Sequence, residues 1–151
     1  MLIQLIGLLR SSLLARPTEA GLPVLSGACP KSRRLLWMHG DARIIANFPF
    51  SIGRRDEDGS DESDLSLPDK EPFCLSRLHC TIERDQHGGY WLRDDTSRMG
   101  TIVNGSMIGG FSGRTKAPLD RQTNELILGA RNSPHRFYLT LSERSAGSPR
   151  P

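Results

Sequence analysis

Thr101-Ile102-Val103-Asn104-Gly105-Ser106-Met107-Ile108 decides the fold class. Two short β-branched or apolar runs flank Asn-Gly, the dipeptide that supplies both left-handed residues of a type I′ hairpin turn. Working outward, the same grammar repeats. Leu78–Glu83 alternates, His87-Gly88-Gly89 turns, and Tyr90–Arg93 returns. Leu65-Ser66-Leu67 is a brief strand closed by Pro68-Asp69, and Leu126-Ile127-Leu128 is stopped by Gly129 before a last strand over Arg136–Leu141. Upstream, Arg34–His39 reads as a strand, Gly40-Asp41 as a tight turn, and Arg43–Ile52 as the return, with Pro49 marking an edge or bulge. Many short strands at regular spacing, with no interior helical pattern, predict an all-β sandwich or barrel.

The chain has 151 residues, enough for one domain with its own core. Aromatic residues make up 6% and hydrophobic residues 36%, so that core is mostly aliphatic. A net charge of +3 with scattered basic residues gives no stripe for nucleic acid. Three cysteines (Cys29, Cys74 and Cys80) are no disulfide framework and point to a reducing, cytoplasmic setting. Met1–Leu14 is too short to span a membrane. Leu2, Leu5, Ile6, Leu9 and Leu13 form one helical stripe, so residues 1–30 are expected to be an N-terminal extension, a short helix followed by a linker over Pro17–Lys31. The helix would dock on the domain or on a partner, including a second copy. The domain itself is expected at 31–142 and a disordered polar tail at 143–151.

Three separated elements gather polar residues at strand ends. Gly53-Arg54 ends one strand, Ser76 precedes another, and Ser97, Arg98 and Gly100 lie in the loop before Thr101. In a sandwich, loops at one end carry function. A phosphorylated side chain brings about −1.5 to −2 charges and three acceptor oxygens. A guanidinium and a hydroxyl, Arg54 and Ser76, are the matching donors, with Arg77 and Arg98 adding charge at the rim.

No catalytic constellation competes. Ser76 and His79 start on opposite faces of a strand, and no Gly-x-Ser-x-Gly elbow surrounds the serine. Cys74, His79, Cys80 and His87 follow no ordinary zinc spacing, and Cys80 alternates with Leu78 and Ile82 as a core residue would. Asp94-Asp95 diverge as adjacent strand residues, so a metal or acid–base pair is disfavoured against backbone hydrogen bonding. No cofactor or metal is expected, and no enzyme.

The ordered set Ile52-Gly53-Arg54, Ser63-Asp64-Leu65, Leu75-Ser76-Arg77-Leu78-His79, Asp95 with Ser97, Gly100-Thr101 and Val103-Asn104-Gly105 resembles the forkhead-associated (FHA) family, over roughly Arg34 to Leu141. The resemblance implies a β-sandwich of about eleven strands that binds phosphothreonine peptides through loops at one end, as a signalling adaptor. Arg54 and Ser76 match the family's phosphate contacts, and Arg77 a position that often assists them. Arg98 matches a peptide contact. Met99 stands where family members commonly carry an asparagine that binds the peptide main chain; a thioether is a weak acceptor and no donor. His79 matches a histidine that braces the loops, and Gly53, Gly100, Thr101, Asn104 and Gly105 complete the supporting frame. The acidic stretch after Arg54 is expected to crowd the site. The alternative reading is a phospho-independent structural or oligomerisation domain on the same fold.

Overall fold

The computed structural model describes residues 21–37 and 40–142. The expected N-terminal helix and the polar tail lie outside the described residues. Eleven strands form two sheets. They are β1 (Val24–Gly27), β2 (Ala42–Ile44), β3 (Phe50–Arg54), β4 (Leu65–Leu67), β5 (Cys80–Arg84), β6 (Tyr90–Asp94), β7 (Thr101–Val103), β8 (Ser106–Ile108), β9 (Lys116–Pro118), β10 (Thr123–Leu128) and β11 (Arg136–Thr140). One sheet has the order β2-β1-β11-β10-β7-β8, the other β4-β3-β5-β6-β9. All pairings are antiparallel except β3 with β4.

Alternation explains the layering. Along β6, Tyr90, Leu92 and Asp94 face inward while Trp91 and Arg93 do not, and along β11 Phe137 and Leu139 face inward. Leu25, Ile52, Leu65, Ile82, Leu92, Leu126, Leu128, Phe137 and Leu139 close a continuous aliphatic core between the sheets, each fully buried side chain contributing about 1.5–3 kcal/mol. Cys80 is one of these core residues. Asn104 and Gly105, with φ of 50° and 89°, make the β7–β8 turn that the sequence predicts.

Two expectations fail upstream. The strand expected from Arg34 does not form among the described residues: Pro30–Leu36 is a short helix, α1. Proline at its first turn costs no hydrogen bond, and Arg33 and Arg34 complement its C-terminal end. Its buried face is small, Ser32 and Leu36, with Ser32 Oγ donating to the Pro134 carbonyl at 2.6 Å. Nor is Pro17–Lys31 simply a linker. Val24–Gly27 is strand β1, inserted between β2 and β11 with Leu25 opposite Leu139, so the sandwich takes up chain before residue 31. Its flanking Pro and Gly residues disguise a four-residue strand as a loop. Strand β9 is likewise unforeseen, being three residues that end in proline.

Candidate functional site

Three connections converge at one end of the sandwich: the exit of β3, the β4–β5 loop and the β6–β7 loop. Strand β3 runs hard against the β4–β5 loop. The Arg54 N–H donates to the Ser76 carbonyl at 2.9 Å and the His79 N–H to the Ile52 carbonyl at 3.0 Å. A Cβ on Gly53 would overlap the Arg77 carbonyl, so only glycine permits this approach. Ser63 Oγ donates to that same Arg77 carbonyl at 2.8 Å, which places the Ser63-Asp64-Leu65 element in the frame.

Arg54 is held on two sides. Its Nη1 donates to the Leu75 carbonyl at 3.1 Å, and its guanidinium lies 3.9 Å over the Phe73 ring. A guanidinium braced this way forfeits little side-chain entropy when it takes up an anion. Ser76 is equally placed. Its Oγ accepts the Arg98 backbone N–H at 3.0 Å, which leaves the hydroxyl proton available to donate. The same bond ties the β4–β5 loop to the β6–β7 loop.

His79 locks both loops from behind. It is completely buried, its Nδ1 accepts the Ser76 N–H at 3.1 Å, and its Nε2–H donates to the Gly100 carbonyl at 2.9 Å. Those two partners fix the tautomer. Burial pushes the imidazole below its ordinary value, with the Gly100 contact offsetting part of the effect. The ring contacts the Ser76 backbone and not its hydroxyl, so it is placed as a brace.

The β6–β7 loop is organised by Asp94. Of the two adjacent aspartates, it is Asp94 that bonds Ser97. Ser97 Oγ donates to Asp94 Oδ1 at 2.6 Å, the Ser97 N–H to Oδ2 at 2.9 Å, and Thr101 Oγ1 to Oδ1 at 2.8 Å. Ser97 Oγ in turn accepts the Gly100 N–H at 2.9 Å. Asp95 instead bonds Thr81 Oγ1 at 2.6 Å and Arg93 Nε at 2.9 Å. Gly100, at φ 84°, takes the left-handed conformation that ends the loop. Asn104 and Gly105 stand elsewhere: Asn104 Oδ1 accepts the Glu125 N–H at 2.9 Å, pinning the β7–β8 hairpin to β10.

Arg77, 59% exposed, pairs through Nε with Asp56 Oδ1 at 2.9 Å. A cavity of about 410 Å³ is lined by Arg54, Arg55 and Arg77 on one side and by the acidic Asp56-Glu57-Asp58 segment on another. The acidic stretch therefore shares the arginine site, as expected, and Asp56 already engages one of its cations. Met99 is 38% exposed in the β6–β7 loop, next to Arg98. Phe73 and Asp94, and the specific pairing of Asp56 with Arg77, are what motif reading missed. An aromatic residue in a polar loop and a paired aspartate at a strand end are the only signals that could have drawn attention to the first two. Among the described residues no cluster of His, Cys, Asp and Glu is arranged to hold a metal ion, and no helix is long and apolar enough to cross a membrane.

The frame of glycine, arginine, serine and histidine at one pole of an eleven-stranded sandwich coincides with a match of residues 50–122 to the FHA domain family model. The chain carries an FHA domain. Solved FHA structures share its fold. The FHA domain of CT664 from Chlamydia trachomatis aligns with a TM-score of 0.55 at 18% identity, over 80% of this chain and 96% of that one. The N-terminal FHA domain of Rad53p from S. cerevisiae, in complex with a phosphothreonine peptide, aligns at 0.52 and 18% identity, over 79% and 90%. Mycobacterium tuberculosis EmbR, in complex with a low affinity phosphopeptide, aligns at 0.54 and 20% identity over 86% of this chain, which spans only 26% of EmbR. At these identities the likeness is one of fold. No curated protein sequence matches the chain.

Proposed function

We propose that this FHA domain is a non-enzymatic, phosphothreonine-dependent binding module that acts as a cytoplasmic signalling adaptor. The observation that carries the reading is the pairing of a braced cation with a free hydroxyl proton. Arg54 is fixed on Leu75 and Phe73, and Ser76 Oγ is oriented by the Arg98 N–H with its own proton unspent. Together they offer charge and a directed donor to a phosphate, while Arg77 and Arg98 add charge at the rim. Met99 and the neighbouring loop would then face the peptide main chain. The phosphothreonine peptide bound to the Rad53p domain, which has the same fold, supports the ligand class.

The test is a titration with matched phosphorylated and unphosphorylated threonine peptides of degenerate flanking sequence. Binding that requires the phosphate, and that Arg54→Ala weakens by about 2–5 kcal/mol, is expected. Equal binding of both peptide forms sinks the reading. A second reading, a phospho-independent interaction domain on the same fold, draws on one observation: Asp56 already satisfies Arg77, so that part of the cationic site is answered from within the chain. In that case partner binding, or self-association through the N-terminal segment, would be indifferent to phosphorylation.

A further inference from the structure

We propose that Asp69 is a positioning residue for the phosphate-binding arginine, acting through the loop that holds Arg54; the inference rests on the phosphothreonine reading. Asp69 lies just beyond β4, and its side chain is only 7% exposed. Oδ2 accepts two backbone N–H groups from five and six residues ahead, those of Cys74 at 2.8 Å and Leu75 at 2.9 Å. Oδ1 accepts the Lys70 N–H at 2.9 Å. It also lies 3.2 Å from Nε2 of His135, a buried side chain on the β10–β11 loop whose ring nitrogens make no well-aligned hydrogen bond. One carboxylate thus closes the segment 69–75 on itself and seats it against a neighbouring loop.

That segment is what holds Arg54. Phe73 supplies the ring beneath the guanidinium, and Leu75 supplies the carbonyl that takes Nη1. Both follow from the turn that Asp69 ties. A carboxylate suits the task because its two oxygens can accept several donors at once, each a charge-assisted bond. Burial alone would push the Asp69 carboxyl up, yet the N–H of Leu75, the contact with His135 and the N–H of Cys74 outweigh it and hold the group below its ordinary value. The charge is consequently spent on the loop, although Asp69 borders the same cavity as Arg54. Removing the carboxylate takes the acceptor from three backbone N–H groups, those of Lys70, Cys74 and Leu75. It frees Phe73 and Leu75 to move, and Arg54 loses both supports together.

The experiment uses the full chain and two readouts. One is affinity for a degenerate phosphothreonine peptide library. The other is the side-chain NMR resonance of Arg54 in the free protein, which the Phe73 ring current displaces. Asp69→Ala is expected to lose that displacement and weaken binding by about tenfold or more. Asp69→Asn keeps an oxygen for the Cys74 and Leu75 N–H groups that hold the loop, and its amide can donate to His135, giving up only the exposed Lys70 contact. It should retain the displaced resonance and bind within about threefold of the parent. A role in stability alone would lower the melting temperature of both variants and leave the Arg54 resonance in place. An Asp69→Ala protein that is folded, with unchanged Arg54 resonance and affinity, overturns the inference. If that variant does not fold, Asp69→Glu decides: it keeps the charge but displaces both oxygens by one methylene, and an unmoved Arg54 resonance is again fatal. Should the parent bind no phosphothreonine peptide, the functional reading falls while the resonance of the free protein still decides the positioning role.

Discussion

His79 Nε2–H donates to the Gly100 carbonyl at 2.9 Å, so a residue of the β4–β5 loop fixes the end of the β6–β7 loop from inside the protein. The same carbonyl accepts the Gly129 N–H at 2.9 Å, which brings the β10–β11 connection into the same knot. His79→Ala removes the donor to Gly100 and strands the Ser76 N–H. We expect a loss of about 2–4 kcal/mol in stability, measured by urea denaturation, together with weakened phosphopeptide binding. His79→Gln, which can both accept and donate, should recover part of each.

Asp94 carries three donors in a nearly closed environment. Asp94→Ala removes the acceptor of the Ser97 and Thr101 hydroxyl protons and of the Ser97 N–H, and should destabilise the domain by about 3–5 kcal/mol in the same assay. Asp95→Ala removes partners of Thr81 and of the half-exposed Arg93 and should cost less, about 1–2 kcal/mol. Equal losses from the two substitutions would refute the assignment of Asp94 as the organiser of the loop.

Stability should fall on mild acidification. Burial lowers both His79 and His135 below the ordinary value of 6.5, so the unfolded chain takes up protons more readily than the folded one. The stability these neutral imidazoles preserve is complete above pH 6.5 and is lost as the pH drops from there toward their lower folded values. Each contributes a slope of up to about 1.4 kcal/mol per pH unit within its window. Asp69, also lowered but from 3.8, adds its loss only at more acidic pH. Denaturation midpoints measured between pH 7.5 and 5, with His79→Gln reducing the slope, check the sign.

Asp56→Asn should release Arg77 for phosphate. Arg77 is 59% exposed although Asp56 is only 10% exposed, and a bridge to a solvated cation is worth about 1 kcal/mol or less, so affinity for a phosphothreonine peptide should rise by no more than about fivefold. The gain should shrink as salt is added. A fall in affinity would mean that Asp56 holds Arg77 in a productive pose.

The thiols should separate by reactivity. Burial raises the Cys80 thiol well above its ordinary value, whereas at Cys29 burial is outweighed by hydrogen bonds from Ser32 and the charge of Arg136, which lower it. Iodoacetamide should modify Cys29 in the native protein and spare Cys80 until denaturant is present, as peptide mapping would read.

The strands with clear punctuation were legible from sequence. Asn104-Gly105 and His87-Gly88-Gly89 announce their hairpins because left-handed turns have a narrow residue vocabulary. Strand β1 was hidden because four residues between Pro23 and Ala28 carry no periodicity, and its membership is fixed by pairing with β11 more than a hundred residues away. The seven-residue α1 misled for a related reason: its buried stripe is only Ser32 and Leu36, too little to print a helical pattern. That Arg54, Ser76 and His79 come together at one end of the sandwich was legible from their spacing. The choice between Asp94 and Asp95 was not, because one step along a strand exchanges the two faces and only the observed register decides which carboxylate turns inward. Phe73 was invisible, since ring stacking depends on a loop path that no local pattern encodes.

The register of β1 against β11 carries a last implication. Val24 lies opposite Thr140, and the β10–β11 connection joins the knot around Gly100 at the other extremity of the same strand. The described polypeptide therefore enters and leaves side by side at the pole opposite the arginine cluster. The two ends of the described polypeptide thus lie away from the loops that carry Arg54, Ser76 and Arg98. Such a layout allows the unit to be spliced into different architectures without redesigning its mouth.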